Sequence, residues 1–447
     1  MNSTSTNTKN LTPETETPLD GNYFVSAYPP FSCWQKESAK DVEKLLTESN
    51  HSQEEVPLGL YVHIPFCTVR CHYCYYLSYA NKSDDLIDQY VETLIREVKL
   101  YGRFDSASKR SVKFAYFGGG TPSVLSAVQI TRLLEGIQRV CPWSAIEEVT
   151  FECSPNTIIY EKLQAMKDAG VTRLSMGVQQ LNDEILRQNG RVHLVSDVER
   201  AYEMIAKVGF DVVNLDLIVG LVGESNTTFM ESLDQMIKMS PDSVTIYQLE
   251  IPKNTPLYHL YHNEKLKNSP ASWDVKRARL AKGFSRLERV GYQLRSAYTA
   301  ARTWESQKFA YQEAQYRGAD LIGMGASAFS YLDGCHYQNM TSVNAYLERV
   351  NKNQLPIERA YFLSDDERLV RELILQLKLG SLDRQYFVDK FNVDVFERFS
   401  VPIAHFEREK LIFKNGEKLN LTRKGLLRVD HMLSAFYLPE HCGVRYS

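Results

Sequence analysis

Cys67, Cys71 and Cys74 lie in the run Tyr-Val-His-Ile-Pro-Phe-Cys-Thr-Val-Arg-Cys-His-Tyr-Cys, a C-x3-C-x2-C spacing. Three thiolates on one short loop can hold three irons of a cubane [4Fe–4S] cluster and leave the fourth iron open. An open iron is a place for a substrate or cofactor to bind, whereas a fully ligated cluster usually only moves electrons. The alternative is a zinc site with His63 or His72 as fourth ligand. Closed zinc sites usually draw on two ligand pairs, and the sequence shows no obvious second pair.

The other five cysteines, Cys33, Cys141, Cys153, Cys335 and Cys442, are scattered without disulfide-framework spacing, which points to a reducing cytoplasm. A net charge of -3 implies no strong attraction to nucleic acid or a membrane surface. No run of 18 apolar residues occurs, so no bilayer span is expected. The 26 tyrosines and 20 phenylalanines suit a large core or a flat apolar ligand, with core the default.

The elements that position the cysteines follow from periodicity. Residues 1–20 are Ser/Thr/Asn/Glu-rich, have no apolar stretch of signal-peptide type, and read as a disordered tail. Residues 21–56 read as an aromatic arm, a charged helix near Ser38–Ser49, and a polar linker. Six apolar segments read as strands buried on both faces: Leu58–Ile64, Ser111–Phe117, Glu147–Glu152, Arg173–Val178, Asp211–Ile218 and Ser243–Leu249. Amphipathic helices alternate with them: Asp84–Tyr101, Ala127–Val140 after the N-cap Ser126, Ile158–Ala169, Val195–Val208 and Asn226–Met239. Strands with helical crossovers imply a parallel sheet. The expected fold is α/β, a partial (β/α)6 TIM-like barrel over residues 57–300. A flat doubly wound sheet is the alternative from pattern alone.

Residues 301–345, with a glycine-rich run at Asp320–Ser330, read as a barrel-closing segment. Before it come a helix at Trp273–Val290 and a strand-like Gly291–Ser296. Residues 346–447 read as a smaller, mainly helical, winged-helix-like domain: helices Asp365–Leu379, Arg384–Phe391 and Val395–Glu409, a hairpin over Leu411–Leu421 turning at Asn-Gly, and a last helix capped by Thr422. It shows no concentrated basic stripe, so it reads as a packing or lid domain without nucleic acid. Barrels of this kind carry their sites at the C-terminal ends of the strands. The cysteine loop, Gly118–Gly120 (read as a tight turn before Thr121-Pro122), Glu152, Gln179 and Asp216 all fall at that end.

The cysteine motif resembles the signature of the radical S-adenosylmethionine (SAM) enzymes. Together with Phe-Gly-Gly-Gly-Thr-Pro, Arg-Leu-Ser-Met-Gly-Val-Gln, Asn-Leu-Asp-Leu-Ile-Val-Gly-Leu and Gly-Met-Gly-Ala-Ser-Ala-Phe-Ser, it resembles the oxygen-independent coproporphyrinogen III oxidase family. Related heme chaperones and radical SAM methyltransferases and cyclopropanases share this framework. The resemblance implies a [4Fe–4S] cluster on Cys67, Cys71 and Cys74 and two SAM molecules. Tyr61, Gly119, Glu152 and Phe329 match positions around the cluster-bound SAM. Tyr73, Gly120, Thr121, Gln179, Arg191 and Asp216 match positions around the second. It further implies an oxidoreductase of porphyrin (heme) biosynthesis, a tetrapyrrole or other aromatic or alkene substrate, a flavodoxin- or ferredoxin-type electron donor, and a cytoplasmic monomer. Tyr76 stands where the oxidases typically carry a fourth cysteine. The segment before the first strand resembles the N-terminal arm of the catalytic members and is expected to cover the substrate.

Overall fold

Strands buried on both faces build the molecule outward from one sheet. The computed structural model describes residues 27–48, 56–141, 143, 145–302 and 309–443. The expected tail at 1–20 lies outside them. The six predicted strands form in order: β1 (Leu58–Ile64), β2 (Val112–Gly119), β3 (Glu148–Cys153), β4 (Arg173–Gln179), β5 (Val212–Val219) and β6 (Ser243–Gln248), each pairing in parallel with the next. The remaining strands are β7 (Gln293–Leu294), β8 (Thr299–Ala301), β9 (Asp320–Met324), β10 (Phe329–Leu332), β11 (Cys335–Asn339) and β12 (Ile357–Phe362). The twelve-stranded sheet runs β12-β11-β10-β9-β1-β2-β3-β4-β5-β6-β8-β7. This is the α/β sheet of a partial barrel, bordered by antiparallel strands on both sides.

Helices α1 (Asp84–Tyr101), α2 (Ala127–Gln138), α3 (Tyr160–Asp168), α4 (Val195–Val208) and α5 (Asn226–Met239) connect the strands, and α6 (Trp273–Arg289) follows β6. Ser126 caps α2 as expected and forms a capping box with Gln129. Leu94 and Val98 of α1 and Leu133 and Ile137 of α2 are fully buried in the same core as Leu60, Phe117 and Phe151. Among the described residues no helix is long and apolar enough to cross a membrane.

Several expectations change. The glycine-rich run, given no element from the sequence, holds a strand: Asp320–Met324 is fully buried and pairs in parallel with β1 on the side away from β2. Gly323 permits this, because a Cβ there would come within 2.2 Å of Phe329 O. Gly118 and Gly119 form no turn; they extend β2 by pairing with His63 and Ile64. Only two residues of Gly291–Ser296 pair, antiparallel to β8. Ile158–Ala169 shortens to Tyr160–Asp168, because Pro155–Thr157 forms a separate 3-10 turn.

Helices α7 (Val343–Asn351) and α8 (Asp365–Leu377) lead into the C-terminal part. There the expected helix Val395–Glu409 breaks at Phe399 into Val395–Arg398 and Ser400–Arg408. Pro402 has no N–H to continue the hydrogen-bond ladder across that break. Strands β13 (Ser381–Asp383), β14 (Ile412–Asn415) and β15 (Lys418–Leu421) make a three-stranded sheet ordered β13-β15-β14, with the hairpin turning after Asn415. Thr422 caps a short helix at Arg423–Leu426.

The C-terminal core is not closed on itself. Leu373, Phe406 and Met432 share it with Ala297 and Tyr298 beside the barrel and with Tyr28 of the arm. The described arm also stays at the sheet edge. Phe31 stacks on Phe329 with ring centroids 4.3 Å apart, Trp34 stacks on His336 at 4.9 Å, and Gln35 bridges to Ala360. The described part of the arm is therefore a clamp between barrel and C-terminal core.

Candidate functional site

The cysteine loop leaves β1 and is pinned at several points. Phe66–Cys67 pairs in parallel with Tyr79–Ala80, closing the loop at its base. His72 N donates to Asn189 O at 3.1 Å, and Leu257 N donates to His72 O at 2.7 Å. Gly120 N and Thr121 N donate to Ile64 O and Phe66 O, both at 2.8 Å. A Cβ on Gly120 would come within 2.6 Å of Phe66 O and 2.9 Å of Ile64 O, so only glycine lets the two strand ends meet. Gly120→Ala is therefore expected to displace Cys67 and abolish iron uptake. Gly170→Ala, where a Cβ meets nothing within 4 Å but φ is +86°, costs about 1 kcal/mol of backbone strain away from the cysteine loop and retains iron uptake. Iron quantification after anaerobic reconstitution measures both.

The three thiols face one cavity of about 310 Å³ at the C-terminal ends of the strands, within the ordinary size of small-molecule sites. Tyr73, Gly119, Gly120, Thr121, Glu152, Gln179, Arg191 and Asp216 line it with them. Two expected positions do not. Tyr61 lies behind Tyr116, bonded to His63 Nδ1 at 2.9 Å, and Phe329 is stacked under Phe31. Arg191 reaches toward the cysteines: Nη1 donates to Cys71 Sγ at 3.3 Å and Nη2 to Gly177 O at 2.9 Å. Its Nε, together with Gln179 Oε1 and Gln248 Oε1, is buried without a protein partner.

Residues 61–236 match the model of the radical SAM superfamily, and residues 363–428 match the HemN C-terminal domain. The heme chaperone HemW of Escherichia coli (strain K12) is 34% identical over 61% of this chain and 69% of that protein. The chain belongs to the radical SAM family of HemN and HemW proteins. The oxygen-independent coproporphyrinogen III oxidase of the same strain is 26% identical over 86% of both chains. The solved structure of the E. coli coproporphyrinogen III oxidase HemN shares the fold, with a TM-score of 0.78 at 24% identity over 92% of this chain and 96% of that chain.

Radical SAM membership implies a [4Fe–4S] cluster and SAM, and the donor set fits both. Each cubane iron takes its own thiolate, so the three sulfurs need not converge on a point. Among the described residues no three His, Cys, Asp or Glu side chains are grouped to hold a single metal ion, which weighs against the zinc alternative. Neither histidine of that alternative lines the cavity with the thiols: His63 Nδ1 lies 2.9 Å from Tyr61 OH, and His72 Nδ1 is 3.2 Å from Gln188 O. The orphan polar atoms of Arg191, Gln179 and Gln248 suit a polar ligand beside the thiols.

Two of the carboxyls in the cavity wall lie toward the C-terminal ends of β3 and β5. Burial pushes Glu152 up to about 7, aided by the nearby Asp216, while the hydrogen bond from Tyr116 opposes it. Tyr116 donates to Glu152 Oε1 at 2.5 Å. Burial likewise pushes Asp216 up to about 6, against hydrogen bonds from Ser175 and Asn214 at 3.0 and 2.8 Å. Both groups can accept hydrogen bonds from hydroxyl donors. Sequence reasoning missed the aromatic lining: Tyr75, Tyr76, Tyr116, Tyr247, Trp273 and Tyr298. Tyr75 and Tyr76 stack at 4.7 Å, and Tyr247 and Tyr298 at 6.1 Å. The available signal was position: Tyr116 and Tyr247 sit near the C-terminal ends of β2 and β6.

Proposed function

We propose that this chain is a radical SAM oxidoreductase acting on coproporphyrinogen III, converting propionate side chains to vinyl groups on the way to protoporphyrinogen IX. With a [4Fe–4S] cluster and SAM bound, the chemistry supplied is reductive cleavage of SAM to methionine and a 5′-deoxyadenosyl radical that takes a hydrogen atom from substrate carbon. Each of the two propionates converted would then lose carbon dioxide and one electron to an external acceptor as the vinyl double bond forms, the other two being retained. Cys67, Cys71 and Cys74 hold the cluster. Gly119 and Glu152 surround one SAM, with Glu152 accepting from hydroxyls; Tyr61 and Phe329, expected there too, lie outside the cavity lining. Tyr73, Gly120, Thr121, Gln179, Arg191 and Asp216 surround a second. A flavodoxin- or ferredoxin-type protein supplies the electron. The protein's own work is binding, orientation and exclusion of water from the radical.

The supporting observation is convergence: eight of the ten SAM positions share one cavity with the three thiols and with tyrosine pairs suited to a flat substrate. A heme chaperone without turnover is the second reading, favoured by the 34% identical relative of that name and by Tyr76 at the fourth-cysteine place. The test is anaerobic reconstitution with SAM, reductant and coproporphyrinogen III. Vinyl products and carbon dioxide in step with 5′-deoxyadenosine are expected. Stoichiometric heme binding without decarboxylation overturns the proposal in favour of the chaperone. S-adenosylhomocysteine with a methylated or cyclopropanated product overturns it in favour of a two-SAM methyltransferase.

A further inference from the structure

Arg191 and His193 stand two residues apart in the irregular segment between the short helix Asp183–Gln188 and α4. Burial alternates along it, as it does in extended chain. Val192 and Leu194 are 51% and 45% exposed, whereas His193 is buried. The segment links the cysteine loop to the barrel. At one end Asn189 O accepts from His72 N at 3.1 Å. At the other the Arg191–His193 pair meets the end of β4.

There the register of β4 against β5 shifts between Gly177 and Gln179, and Gln179 sits at φ +67°. The pair takes up two successive carbonyls of that stretch. Gly177 O accepts from Arg191 Nη2 at 2.9 Å, and Val178 O lies 3.0 Å from His193 Nε2. His193 Nδ1 is 3.0 Å from the same Arg191 Nη2. The partners fix the tautomer. A carbonyl only accepts, so Nε2 carries the proton; a guanidinium only donates, so Nδ1 offers its lone pair. Burial, together with the Arg191 charge, pushes His193 down to about 3, which keeps that lone pair free.

Both Nη2 hydrogens of Arg191 are thereby engaged on the barrel side, Nη1 turns to Cys71 Sγ, and Nε has no protein partner. A planar fork held at one nitrogen by two acceptors keeps its orientation. Without the histidine acceptor the long side chain regains rotamer freedom that a ligand must then remove.

We propose that His193 is a positioning residue that acts through Arg191, fixing the guanidinium so that its remaining N–H groups meet the carboxylate of a bound SAM. This rests on the proposed placing of Arg191 beside SAM and adds the side chain that makes that contact rigid.

The test is equilibrium dialysis of SAM, without reductant, against anaerobically reconstituted full-length wild type, Arg191→Ala, His193→Gln and His193→Asn, with affinity taken per cluster. Glutamine keeps a donor within reach of Val178 O but puts no acceptor at the Nδ1 position. His193→Gln is expected to weaken, about tenfold, the SAM site that Arg191→Ala weakens. Asparagine places Oδ1 where Nδ1 stands, and His193→Asn is expected to bind SAM as wild type does. A role in merely filling space at the strand end predicts the reverse order, because glutamine keeps more of the volume and the bond to Val178. Urea midpoints of the cofactor-free chains serve as the folding control. If one of the two His193 variants does not fold or takes up no iron, the other alone decides. Wild-type affinity in His193→Gln overturns the inference, and so does a loss in His193→Asn as large as that expected for His193→Gln. Either result beside a weakened Arg191→Ala sinks this inference alone. Unchanged SAM binding in Arg191→Ala removes Arg191 from the SAM site and the inference with it.

Discussion

Cys67→Ala, Cys71→Ala and Cys74→Ala are each expected to lose the iron–sulfur chromophore and all SAM cleavage, while Cys141→Ala retains both. The three thiols share one cavity, on a loop fixed by Asn189, Leu257 and the Tyr79–Ala80 bridge. Cys141 is buried in the apolar core among residues such as Leu134 and Ile137. Burial pushes that thiol up to about 11, so it stays protonated and inert. Removing one of three ligands from a cubane already lacking a fourth protein ligand leaves too few to hold it. Wild type should carry about four irons per chain after anaerobic reconstitution. The three single variants should carry almost none, read by iron quantification and 5′-deoxyadenosine formation. Full iron in any of the three would mean that another side chain completes the site and that the C-x3-C-x2-C reading is wrong. Cys71 adds a second readout: Arg191 donates to its sulfur, so Arg191→Ala is expected to disturb the cluster as well as SAM binding.

The strands were legible because burial on both faces leaves a continuous apolar run, and β1 to β6 appear within two residues of their expected bounds. Local signals such as Ser126, Thr422 and Asn415-Gly416 were legible for the same reason: each acts on neighbouring backbone. Strand β9 was not. Its glycines look like loop residues, and their use as a close-packing surface against Phe329 depends on a partner that sequence spacing does not reveal. The cysteines and Glu152, Gln179 and Asp216 were legible because polar residues at the ends of buried strands stand out. The tyrosines were not, since Tyr116 and Tyr247 differ from core aromatics only in facing a cavity. Arg191 meets Cys71 across 120 positions and Tyr298 meets Asp430 across 132. Such contacts exist only once the sheet has curved and the C-terminal part has docked.

Glu152→Gln is expected to stabilise the cofactor-free protein at pH 8 and, in the same variant, to weaken SAM binding by about tenfold or more. The sign follows from burial. The folded Glu152 carboxyl is raised from 4.5 to about 7, so its stabilising contribution is complete below its unfolded value and is lost as pH rises through 7. Glu152 stays partly open to the cavity, which caps the loss at about 3 kcal/mol. Asp216, raised by the same cause to about 6, adds a loss of the same sign and begins at lower pH. Wild type should therefore unfold at lower urea at pH 8 than at pH 5. Glu152→Gln should narrow that gap, with its advantage largest at pH 8 and small at pH 5. Glutamine keeps the shape and one acceptor but cannot offer two carboxylate oxygens to a pair of hydroxyls while also accepting from Tyr116. Equilibrium dialysis with SAM at pH 7 measures the affinity, and urea melts at the two pH values measure the linkage. Unchanged SAM affinity would remove Glu152 from the SAM site. A stability gain of the same size at pH 5 as at pH 8 would show that packing, not proton linkage, is its source.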